Sequence, residues 1–139
     1  MANRLYAKGK ENFLKGAIHW HTDSIDALLI DTNHYTPDME KDATLQDIPN
    51  QAWVGQLSGN TDGPYFLSQK TTNGGVAGAA PVIFDNAVGL SCGAVVLFAH
   101  RIGAENTLIA YIDEVQGFPV SPVPRKLKIE WAGDIIFSL

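Results

Sequence analysis

The run Ala-Val-Val-Leu-Phe-Ala at residues 94–99 is the longest apolar stretch of the chain, and its length narrows the fold more than any other feature. It falls far short of the roughly 18 residues that a membrane-spanning helix requires, and it has the length of a buried strand. Similar short runs recur: Ala-Leu-Leu-Ile at 27–30, Ala-Pro-Val-Ile-Phe at 80–84, Thr-Leu-Ile-Ala-Tyr-Ile at 107–112, Leu-Lys-Ile-Glu-Trp at 127–131 and Ile-Ile-Phe-Ser-Leu at 135–139. Turn-forming residues separate them. This spacing predicts an all-β domain, a mainly antiparallel sandwich or barrel-like fold.

One segment carries a helical period instead. Between residues 3 and 14, Leu5, Tyr6, Phe13 and Leu14 recur at about helical spacing among Lys8, Lys10 and Glu11. Asn3 stands where an N-cap would and Gly16 where the chain would leave the helix, so a short amphipathic helix is expected within residues 1–16. Gly9 in its middle costs about 1 kcal/mol relative to Ala, which calls for a packing reason. The β domain is then expected to occupy residues 17–139. Residues 36–49 read as a long connection with a turn or two of helix, started by Pro37 and ended by Pro49. Residues 55–75, rich in glycine and polar residues, read as a long loop or weak hairpin. Pro119, Pro122 and Pro124 confine residues 117–125 to an edge or an extended connection, since each lacks a ladder donor.

With 139 residues, 45% of them hydrophobic, the chain suits one domain around one core. Ten basic residues against fifteen acidic ones give a net charge of -5. That balance disfavours a nucleic-acid backbone or an anionic membrane as the main partner. The basic cluster of Arg125, Lys126 and Lys128 is interrupted by Leu127 and reads as the wet face of a strand. The N-terminal residues show no apolar signal-like region, so folding in a cytoplasm is expected. Cys92, the single cysteine, has no internal disulfide partner and reads as a small core residue.

His19, His21 and Asp23 alternate, and on a strand they would share one face. Two imidazoles and a carboxylate are ligands that zinc or iron would accept. The pattern departs from the cupin motif: Asp26 stands where its glutamate would, and neither His34 nor His100 lies in a second motif. The segment is therefore read as a half-exposed strand with Trp20 facing the core, and no metal site is assigned. Asp23, Asp26 and Asp31 flank apolar residues and read as turn and cap residues. No phosphate loop, dinucleotide fingerprint or nucleophile elbow is present in the sequence. Neither a catalytic residue nor a cofactor is assigned.

The chain resembles a family of small structural proteins of tailed bacteriophages. The likeness rests on the Asn-Arg-Leu-Tyr start at residues 3–6, the Gly-x-Ile-x-Trp step at 16–20 and the Asp-Thr-x-x-Tyr-Thr turn at 31–36. It continues through Leu-Ile-Ala-Tyr-Ile-Asp at 108–113, Pro-Val-Ser-Pro at 119–122, and Trp131 with Ile-Phe-Ser-Leu at 136–139. It runs nearly end to end and is weakest over residues 50–106.

The resemblance implies a virion component without chemistry of its own, made in the host cytoplasm. The expected role is a head decoration (cement) protein on the outer surface of the head, with the major capsid protein as partner. The alternatives are a tail, neck or baseplate component, and a small metal- or carbohydrate-binding module. Self-association is expected, as a homotrimer at local threefold positions or else as a dimer. The expected contact surface combines the N-terminal helix with strand edges near the proline turn, through Arg4, Leu5, Tyr6, Phe13, Pro119 and Pro122.

Overall fold

A computed structural model of the chain describes residues 3–52, 67–87, 93–100, 106–113, 115, 125–131 and 136–138; for residues 50, 83–87 and 125–128 it describes the backbone alone. In chain order the elements are β1 (Arg4–Leu5), α1 (Ala7–Leu14), β2 (Ile25–Ile30), 3-10 turns at Leu45–Asp47 and Asn50–Ala52, β3 (Thr71–Asn73), β4 (Val76–Gly78), β5 (Val82–Ala87), β6 (Ala94–Ala99), β7 (Thr107–Ile112), β8 (Arg125–Ile129) and β9 (Phe137–Ser138). The protein is mainly β with one short N-terminal helix, as the spacing of apolar runs predicts. A four-stranded sheet has the order β1-β7-β6-β2, a second sheet the order β3-β4-β9, and β5 pairs with β8. Each of these pairings is antiparallel.

The four-stranded sheet is the middle of the molecule. Alternate residues of its strands enter two apolar clusters, one on each face. Ile25, Ala27, Leu29, Val95 and Leu97 meet Trp20, Ala77, Val82, Ile129, Trp131 and Phe137, so this face packs against strands of both smaller sheets. Leu28, Ile30, Val96 and Phe98 meet Tyr6, Tyr35, Leu45, Ile48 and Ala52, which places the connection after β2 over the opposite face. Every residue of β2 and β6 is consequently buried. That is why β6 reads as an unbroken apolar run, and β2 does so from Ala27 to Ile30, rather than as alternating strands.

β7 carries one irregularity. Leu97 pairs with Ala110 but Phe98 pairs with Leu108, leaving Ile109 as an extra residue, a β-bulge. The outer edge of β7 is shared between two segments. Near its start, Leu108 N–H donates to Ala43 O and Leu45 N–H to Asn106 O, both at 2.9 Å. Near its end, β1 pairs Arg4 with Tyr111 and Leu5 with Ala110. Between them Tyr6 N–H donates to the bulged Ile109 carbonyl at 2.9 Å, and the chain then turns into α1.

Several sequence expectations change at this point. Residues 4 and 5 form a strand and the helix begins only at Ala7, because the open edge of β7 supplies backbone partners that the first helical turn lacks. Asn3 is not the N-cap; its side chain donates to Ile136 O at 2.8 Å, and Tyr6 takes the N-cap position in extended conformation. Gly16 does close the helix, with φ +75, where a side chain would be strained. Residues 19–23 form a turn rather than a strand: His19 N–H donates to Asp23 Oδ2 and Asp23 N–H to His19 O, each at 2.9 Å. Trp20 does face the core, 7% exposed. The weak hairpin is real over its final part, where Asn73 pairs with Val76 around Gly74 and Gly75, both at positive φ as a primed two-residue turn demands. Most of the 55–75 loop, together with Cys92 and the proline segment 117–124, lies outside the described residues.

Candidate functional site

The N-terminal segment and the C-terminal strand come together at one side of the sandwich. β1 is an edge of the four-stranded sheet and β9 an edge of the three-stranded one. The Asn3 side-chain bond to Ile136 O ties the two edges together. Between them and α1 lies a groove of about 700 Å³. Its apolar lining comes from Leu5, Phe13, Leu14, Met39 and Phe137, and Arg4, Lys10 and Glu40 add charge. The Arg4 guanidinium lies 5.4 Å from the centre of the Tyr111 ring, a cation–π distance that steadies it.

The aromatic residues behind the groove make a continuous wall. Phe13 and Phe137 are tilted against each other with centroids 6.0 Å apart, and Trp20 meets Phe137 edge-on at 5.2 Å. Trp20 is held in place by its indole N–H, which donates to Thr71 O at 3.2 Å. A second, smaller apolar cavity of about 120 Å³ lies beside this wall, between Trp20, Val76, Ala77 and Phe137. Leu14 ends α1 fully in the open, 89% exposed. The pair Phe13-Leu14 explains this: adjacent helical positions point about 100° apart, so only one of them can lie against the sheet.

Of the expected contact residues, the structure brings Arg4, Leu5 and Phe13 into this groove. Tyr6 is a correction. Its side chain is 0% exposed and sits in the cluster on the other face of the sheet, where it is out of reach of a neighbouring chain. Pro119 and Pro122 lie outside the described residues. Sequence reasoning missed Lys10, Leu14, Met39, Glu40 and Phe137. Leu14 had a local signal in the Phe-Leu pair; Met39, Glu40 and Phe137 had none, since only the fold carries them to α1.

Buried polar groups occur elsewhere; both carboxylate oxygens of Asp113 are buried without a hydrogen-bond partner among the described residues, whereas the others are paired. Tyr35 O–H donates to Asp42 Oδ2 at 2.6 Å, and Tyr6 and Tyr35 hydroxyls are 2.8 Å apart. Since the Tyr35 proton is committed to Asp42, Tyr6 is the donor of the second bond. Burial pushes both phenols well above their ordinary range. Asp31 acts as a turn residue, accepting from Asn33 N–H at 2.9 Å with His34 Nδ1 at 3.0 Å. Asp26 does not. It lies inside β2, 3% exposed, with His100 Nδ1 at 3.3 Å, and burial raises its carboxyl above the usual range while His100 opposes the shift. His19 and His21 are exposed, and His21 Nε2 shares a 3.0 Å hydrogen bond with Thr72 Oγ1. Among the described residues, no three His, Cys, Asp or Glu side chains converge as metal ligands would.

Neither protein-family models, nor curated proteins, nor solved structures give a match to this chain.

Proposed function

We propose that this chain is a structural component of a tailed-phage virion, and specifically a decoration (cement) protein that sits on the outside of the head against the major capsid protein. The observation that carries this reading is the groove between β1, α1 and β9, where two sheet edges and an exposed apolar residue lie side by side. Sheet edges carry backbone donors and acceptors ready for another chain, and such contacts need no pocket chemistry. The near end-to-end resemblance set out above supports the same role, and the proposal assigns the chain no catalysis and no cofactor. A cement of this kind works by multiplicity: contacts that are weak one at a time add up over the many copies of a shell.

A density map of the intact particle tests the reading. It should show this chain in regular positions on the head surface, touching the major capsid protein. Particles lacking the chain should assemble but release DNA at lower temperature or on osmotic shock. Finding the chain only in isolated tails, with the stability of the head unchanged in its absence, would give the tail reading its place.

A further inference from the structure

We propose that the groove beside α1 seats a second copy of this chain, in a two-fold contact where Leu14 of each copy enters the groove of the other and Lys10 of each meets Glu40 of the other. Three observations point there. Leu14 is the large apolar side chain left exposed among the described residues, and it stands on the rim of the apolar groove of about 700 Å³. Lys10 and Glu40 line that same recess, yet no ion pair joins them and neither side chain has a hydrogen-bond partner among the described residues. Lys8, on the same helix, is by contrast paired with Glu11 at 2.7 Å.

With Arg4 held over the Tyr111 ring, Lys10 and Glu40 are left as opposite charges at the rim of an apolar floor, and a second copy offers each of them its counterpart. In a two-fold contact residue i meets j while j meets i, so one operation satisfies both charges and buries both leucines. A different partner would have to supply an apolar side chain and both charges in matching places; a second copy supplies all three. The contact closes at two copies, in place of the three suggested by shell geometry. It is a property of the isolated chain and does not depend on its place in a particle.

Sedimentation equilibrium of the purified full chain over micromolar concentrations reads the contact directly. The wild type should be a dimer. Leu14→Asp should weaken it by about thirtyfold or more, the scale of a central contact residue, while leaving the circular dichroism spectrum and thermal midpoint of the monomer unchanged, because Leu14 makes no core contact. Lys10→Glu alone should weaken the dimer, and Lys10→Glu combined with Glu40→Lys should restore it. A wild type that stays monomeric, a trimer, an oligomer indifferent to Leu14→Asp, or a double reversal no better than the single one would each overturn the proposal.

Discussion

A Cβ placed on Gly9 would stand 2.7 Å from the carbonyl oxygen of Ile109 and 3.0 Å from its Cα. The helix therefore rests its backbone directly on the bulge of β7, with no side chain between. This contact joins the two features that shape the N-terminal region, the extra residue in β7 and the glycine in the middle of α1. It sets how closely α1 lies against the sheet, and so how deep the groove beside it is.

Gly9→Ala should lower stability even though alanine is the better helix former. Propensity favours alanine by about 1 kcal/mol, but forcing an atom into occupied space costs about 1–3 kcal/mol. The urea midpoint should fall. A midpoint that rises would mean that α1 does not press on β7.

Tyr35→Phe should destabilise the fold by about 1–3 kcal/mol, because it strands the buried Tyr6 hydroxyl without its acceptor. Asp42 keeps the Asp38 N–H at 2.9 Å, so the cost falls on Tyr6. Adding Tyr6→Phe to the first substitution should then cost little more. Chemical denaturation of the two single variants and the double variant measures this coupling.

The same tyrosines predict an alkaline limit. Both have folded pKa values raised above the ordinary value of 10.0, first of all by burial. Above that value the unfolded chain loses these protons and the folded chain retains them, so stability is fully present below about pH 10 and falls as pH rises further. Thermal midpoints across this range should drop for the wild type and drop less for the Tyr6→Phe/Tyr35→Phe variant.

Asp26 acts in the same direction at acid pH. Its folded pKa is raised above the ordinary 3.8 by burial. Its contribution is present below that value and is lost as pH rises through the folded pKa, since the unfolded chain ionises more readily. Asp26→Asn should therefore gain on the wild type as pH is raised from acid toward neutrality, when the two are compared by urea unfolding. A difference independent of pH would show that His100 offsets the burial in full.

Leu97→Ala tests the centre of the fold. Leu97 is 0% exposed in a strand with neighbours on both sides, and removing such a side chain costs about 2–5 kcal/mol. Calorimetry should show a large fall in midpoint.

Much of this architecture was legible in local sequence. The run at 94–99 announced a buried strand because no polar residue interrupts it, and β6 is buried at every position. Gly16 announced the end of a helix, and Gly9 announced a packing reason for its place in one. Arg4, Leu5 and Phe13 line the groove, and their role as contact residues belongs to the proposal made for it. Tyr6 was expected beside them and lies on the other face of the sheet, since one residue along a strand reverses the face.

What the sequence determined by itself is the long apolar strands and the one short helix, for apolar runs and glycines act on their own neighbourhood. The tertiary structure decided what those elements meet. Residues 4 and 5 became a strand because β7 offered an open edge, Asp26 became a buried carboxyl because β2 has elements packed on both of its faces, and Phe137 reached Phe13 because β9 pairs with β4. Each outcome depends on backbone hydrogen bonds and packing between residues far apart in the chain, and no local pattern encodes which distant partner will be there.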